Sequence, residues 1–142
     1  MTSRRIVTRV PVLVGLALLA AGCNSGTAIT EIGVGDCFDH PTEEYISALN
    51  VVDCSVEHDN EVYAEVFMDV TEYPGEDAVG EYAYDACLEA FEPYTGVGYA
   101  DSPLDYLYIG PTAESWAEGD QSILCVLYSA DLEKLTGSQE AG

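Results

Sequence analysis

A catalytic centre working near neutral pH needs a titrating base, a reactive thiolate or a bound metal, and this chain holds few residues that supply them. His40 and His58 are its two histidines. A serine or cysteine nucleophile needs such a base within hydrogen-bond reach, and no Gly-x-Ser-x-Gly turn presents a serine. Carboxylates are too many to be informative. The 26 Asp and Glu residues form pairs by chance, so an acid and base of the kind that cleave a glycosidic bond cannot be singled out. No catalytic residue and no cofactor is expected, and the chain reads as non-enzymatic.

Cation binding is the next chemistry to test. Asp36, Asp39, Glu43 and Glu44 gather around His40, and Glu57, Asp59 and Glu61 around His58. Calcium takes six to eight oxygen ligands, and neither group follows the Asp-x-Asp-x-Asp-Gly spacing of a dedicated loop. Both read as solvated acids, with no metal site, and His58 reads as a hydrogen-bonded turn residue.

Recognition chemistry has better candidates. There are 10 tyrosines, and Tyr94, Tyr99, Tyr106 and Tyr108 are the candidate binding residues. Aromatic rings with a polar tip are enriched at interfaces. The competing reading is that these rings pack on the sheet with their hydroxyls in water. Trp116 is expected as a core anchor.

Of five cysteines, Cys37, Cys54, Cys87 and Cys125 form an even set without any C-x-x-C pair, which argues against a redox motif or a zinc ribbon. Four cysteines allow three pairings. Cys37–Cys54 and Cys87–Cys125 are favoured because neighbours in sequence meet first, each bridge contributing roughly 2–4 kcal/mol.

The fifth, Cys23, ends a leader. Arg4, Arg5 and Arg9 precede an apolar run from Val10 to Ala21, then Gly22-Cys23. A basic start, a short apolar stretch and small residues before a cut site define an export signal. The run is shorter than the roughly 20 residues of a spanning helix. Leu19-Ala-Ala-Gly-Cys23 is similar to a bacterial lipobox, with Ala20 where Leu or Val is usual. That similarity implies cleavage before Cys23 and a diacylglycerol on its sulfur. The expected location is then the outer face of the cell membrane, with the membrane itself a partner through that lipid. Ser3-Arg4-Arg5-Ile6-Val7 partly resembles a twin-arginine signal, so the export route stays open.

All 26 acids lie beyond the leader, against one base, Lys134. Neutralising phosphates needs Lys and Arg, so nucleic acid is excluded as a partner. Such acidity also repels anionic head groups. It serves solubility, or else attracts divalent cations or a basic partner.

The elements that must position these residues follow from periodicity. Residues 24–30 form a polar linker. Ile32 to Phe38 reads as a short strand or bend, and Ala48 to Cys54 as a strand rich in β-branched residues. Glu61 to Val70 alternates Val62, Ala64, Val66, Met68 and Val70 against Glu61, Tyr63, Glu65, Phe67 and Asp69, which predicts one apolar and one mixed face. Glu76 to Glu92 carries Val79, Ala83, Ala86, Cys87, Ala90 and Phe91 on one helical stripe. Leu104 to Ile109 and Gln121 to Tyr128 read as strands, with one helical turn between them capped by Thr112. The predicted class is α+β: a small, mainly antiparallel sheet with one main helix packed on it and two disulfides.

Gly35-Asp-Cys-Phe38, Cys54-x-x-x-His58, Tyr73-Pro-Gly75, Cys87-x-x-x-Phe91, Tyr94-x-Gly96 and Trp116-x-x-Gly-Asp120 followed by Cys125 resemble the septum formation domain family. That family occurs mainly in high-GC Gram-positive bacteria, often as lipoproteins or on a single membrane anchor. The resemblance spans roughly Gly33 to Tyr128, and Glu57 departs from it where Pro is common before the His. It transfers no chemistry to any residue. The expected organisation is a signal peptide over 1–22, a lipidated tether over 23–31, a septum-formation-like domain over 32–130 and a polar, frayed tail over 131–142. The expected function is a non-enzymatic accessory that binds an envelope protein in septum formation or wall assembly. The alternative is a binder of a small ligand, wall fragment or divalent cation.

Overall fold

A computed structural model describes residues 26–41 and 47–142; the leader, Cys23, Glu43 and Glu44 lie outside them. Among these residues, nine strands and α-helices follow in order. They are β1 (Thr27–Ala28), β2 (Cys37–Phe38), β3 (Ala48–Leu49), β4 (Val51–Val52), β5 (Asn60–Phe67), α1 (Glu76–Thr95), β6 (Leu104–Ile109), α2 (Ala113–Ala117) and β7 (Ser122–Ser129). Five strands form one sheet in the order β4-β2-β5-β7-β6, and β1 pairs with β3 apart from it. Every pairing is antiparallel, and α1 packs on the sheet, as the α+β reading expects.

Helix α1 forms where four-residue steps bring Val79, Ala83, Cys87 and Phe91 onto one buried line. Glu76 and Asp77 occupy its first turn, where the helix dipole favours acids. Gly96, at φ 71°, ends it and donates its N–H to the Glu92 carbonyl, a left-handed cap that suits glycine. The helix runs three residues past the expected end, through Pro93. Tyr94 packs against Tyr63 and the Thr95 hydroxyl bonds the Phe91 carbonyl, which sustains the last turn. Beneath α1, Tyr63, Phe91, Leu127 and the Cys87–Cys125 disulfide make the centre of the core. Both disulfides are those expected from sequence, Cys37–Cys54 and Cys87–Cys125. Among the described residues, no helix is long and apolar enough to cross a membrane.

Three expectations fail for identifiable reasons. In β5 the register with β7 shifts between Val62 and Ala64, a bulge that interrupts the two-residue period. Val62 therefore packs on the face away from α1, with Phe38, Leu124 and Val126. Ala64 and Val66 pack on the α1 face. The single strand expected over 48–54 breaks at Asn50 into β3 and β4, which pair with different partners.

The tail expected to fray from Asp131 is instead bound along its length. Leu135 is buried and exchanges two backbone hydrogen bonds with His58. The Gly137 amide donates to the Cys54 carbonyl, and the Ala141 amide to that of Tyr94. Its polar residues serve as partners for buried polar groups that water cannot reach.

The outer edge of β6 is partly shielded. The Leu104 amide donates to Ser102 Oγ and the Tyr106 amide to Asp105 Oδ1, so two donors facing away from β7 are occupied by local side chains.

Candidate functional site

Tyrosines from α1, β6 and the turn between them meet in one strip. Their rings contact edge to face in sequence: Tyr108 to Tyr84 at 5.5 Å between centroids, Tyr84 to Tyr106 at 6.1 Å, Tyr106 to Tyr99 at 5.2 Å. Tyr99 then meets the buried ring of Phe91 at 5.4 Å. The strip joins the core through Phe91 and is open to solvent along its length, with Tyr84 56% and Tyr99 40% exposed. Such pairings contribute about 0.5–1.5 kcal/mol each beyond area burial, so the rings are held rigid before any partner arrives.

Asp105 fixes the polar side of the strip. Its carboxylate accepts from the Tyr99 hydroxyl at 2.8 Å and from the Tyr106 amide. Partial burial pushes the Asp105 carboxyl up, but the bonds from Tyr99, Tyr106 and Tyr128 outweigh it and hold the group below the usual range. The hydrogen bond to Asp105, with desolvation, holds the Tyr99 phenol above its ordinary value. The strip thus offers neutral rings beside a fixed negative charge.

Of the expected binding residues, Tyr99, Tyr106 and Tyr108 belong to this strip, while Tyr94 faces elsewhere. Its hydroxyl donates to Glu61 Oε1 at 2.7 Å. Tyr84 is the strip's central member and was missed, because the helix was read for its buried stripe alone. The signal available was Tyr84 with Leu88, an i, i+4 pair of large apolar residues on the outward face of α1. Trp116 is buried as expected of an anchor. It stacks edge-on against Tyr73 and donates from Nε1 to the Thr71 carbonyl.

The sheet face opposite α1 carries a second feature. The segment around Ile29, Ile32 and Leu49 covers part of it, packing on Val62, Leu124 and Val126. Beyond this cover lies a groove of about 720 Å³, whose floor is Phe67, Ile109 and Leu124 from three adjacent strands. The Thr112 and Ser115 hydroxyls of the α2 capping box stand on its wall.

The two acidic groups expected around the histidines turn out to share one internal cation. Lys134 Nζ lies 2.6 Å from Asp39 and 3.0 Å from Asp59, while the Asp59 carboxylate also accepts from the His40 amide. Desolvation raises the Asp59 carboxyl, but the His40 amide and Lys134 more than offset this and hold it low. Hydrogen bonds to Asp39 and Asp59 hold the Lys134 ammonium above its usual value.

Glu61 and His58, both fully buried, form a separate knot. Glu61 accepts from Tyr94, Ser138 and the Gln139 amide. His58 Nδ1 sits 2.8 Å from the Val56 carbonyl, and its Nε2 has no hydrogen-bond partner among the described residues. Ligand-type atoms of Cys37, His58 and Glu61 lie within 4.8 Å of one another. The Cys37 sulfur is committed to Cys54, however, and both Glu61 oxygens already accept hydrogen bonds. The donor set suits a clamp on the tail better than a metal centre.

No curated protein and no solved structure matches the chain. The septum formation family matches residues 34–141, which takes in the tyrosine strip, both disulfides and the bound tail as far as Ala141. The chain belongs to the septum formation family.

Proposed function

We propose that the chain is a non-enzymatic accessory of septum formation, anchored by lipid on Cys23 to the outer face of the cell membrane. It binds an envelope protein through the tyrosine strip. Family membership supports the role in division. The observation that carries the binding reading is the ladder Tyr108, Tyr84, Tyr106 and Tyr99, rigid at its Phe91 end and exposed at Tyr84 and Tyr99. Rigid aromatic anchors beside a polar rim are what a protein interface draws its energy from. With one base against 26 acids beyond the leader, the partner's matching surface is basic.

The second reading, a binder of a small ligand or wall fragment, has the groove in its favour, since about 720 Å³ lies within the roughly 300–1,000 Å³ of ligand clefts.

Proximity labelling from the lipidated protein in dividing cells, against an unrelated lipoprotein, tests the first reading. Enrichment of division or wall-synthesis proteins that falls in a Tyr84→Ala, Tyr99→Ala double variant is the expected result. A labelling profile equal to the control sinks it. Changing Cys23 to Ala should move the protein from the membrane fraction to the soluble one, and retention at the membrane would refute the lipid anchor.

A further inference from the structure

The groove opposite α1 has a floor and a rim of different chemistry. Phe67, Ile109 and Leu124 give an apolar base, and Phe67 is 58% exposed although it is among the largest apolar residues in the chain. Glu65, Glu118 and Asp120 stand around that base. Lys134, the one base beyond the leader, is held by Asp39 and Asp59 and neutralises none of them.

We propose that this groove docks an extended segment of a partner polypeptide in which basic and aliphatic residues alternate. The inference rests on the accessory reading above and adds the chemistry of the partner and a second contact surface. The floor crosses three neighbouring strands, roughly 10 Å at about 4.8 Å per strand spacing. That width takes about three extended residues at about 3.3 Å each. In an extended segment alternate side chains point to opposite sides, so the aliphatic ones meet the floor of Phe67, Ile109 and Leu124, while the basic ones, on long flexible stems, fold back to the carboxylates of the rim.

Charge decides among occupants. A second copy of this chain brings the same acids and one base, so it is repelled. A neutral wall sugar leaves the rim unpaired. Strand addition at the β6 edge is disfavoured because Ser102 and Asp105 already occupy two of its outward donors, which favours side-chain recognition in the groove.

The test uses the purified full-length chain and four probes: a hexapeptide alternating lysine and isoleucine, one alternating glutamate and isoleucine, one alternating lysine and glycine, and an N-acetylglucosamine oligomer. The expected result is binding of the lysine–isoleucine peptide alone. Its affinity should fall on the order of tenfold in Phe67→Ala, and similarly in a Glu65→Gln, Glu118→Gln double variant, with no change in Tyr84→Ala. Phe67, Glu65 and Glu118 are exposed, so these variants leave the core intact, and a melting curve verifies it. Equal binding of the glutamate or glycine peptide, indifference to Phe67→Ala, preference for the sugar, or absence of binding each overturns the proposal. The accessory reading stands or falls separately. Septal labelling that persists in Phe67→Ala, without peptide binding, removes the groove alone. Peptide binding without septal labelling removes the septal role.

Discussion

The Tyr94 hydroxyl donates to Glu61 Oε1 at 2.7 Å, and through it the end of α1, the start of β5 and the tail share one buried carboxyl. Ser138 and Gln139 supply the other donors. Changing Tyr94 to Phe keeps the ring and removes one donor from a fully buried acceptor. The expected loss is about 1–3 kcal/mol, read as a lower urea midpoint at unchanged slope. A midpoint equal to wild type would mean that the Tyr94–Glu61 bond does not tie α1 to β5.

Acid stability should depend on Lys134. Asp59 is depressed in the fold, so its contribution is present above the ordinary carboxylate pKa of about 3.9 and is lost as pH falls through the lower folded value. Lys134 is raised, so its contribution is present below about 10.4 and disappears as pH rises through the higher folded value. Lys134→Met should therefore lose less stability than wild type between roughly pH 6 and pH 2. It should also respond less to added salt. Identical acid limbs in thermal melts would count against the clamp.

The alkaline limb has a different source. Burial drives Tyr63 well above its ordinary range. Burial and the bond to Glu61 do the same for Tyr94. Both phenols are held neutral in the fold, so their stabilisation is intact below about pH 10 and drains away above it. Ultraviolet titration should show these two ionising only as the sheet unfolds. Ten tyrosines titrating together before unfolding would contradict their packing.

The two bridges should differ in worth. Cys37–Cys54 closes a separation of 17 residues and Cys87–Cys125 one of 38, which in the chain-entropy account gives about 3 and about 4 kcal/mol. Replacing Cys87 and Cys125 by Ala should therefore lower the melting temperature more than replacing Cys37 and Cys54. The reverse order would show that local packing, not loop length, sets the contribution. Free-thiol labelling of the exported chain should find none of these four.

What periodicity could reveal, it did. The stripe Val79, Ala83, Cys87 and Phe91 is legible because an isolated helix repeats without interruption, and Thr112 announces α2 by its capping chemistry. The alternation read through β5 holds only on either side of the bulge. A single extra residue leaves no mark in composition, so the faces of Val62 and Ala64 were assigned together when they lie apart.

The candidate surfaces were half legible for a related reason. Tyr99, Tyr106 and Tyr108 stand out by their number within one short stretch. Tyr84 and Phe67 come from other elements, and their roles depend on which face the chain turns outward. Glu61 was grouped with Asp59 by proximity in sequence. Asp59 lies just before β5 and reaches Lys134, while Glu61, inside the strand, is fully buried and turns to the tail.

The shielding of Leu104 and Tyr106 amides by Ser102 and Asp105 bears on life at high local density. Exposed sheet borders are templates on which identical chains stack into fibres. A border with two of its donors already taken, and with Asp105 beside them, gives a poorer template. Crowded copies are then less prone to join along β6, beside which the aromatic strip stays available.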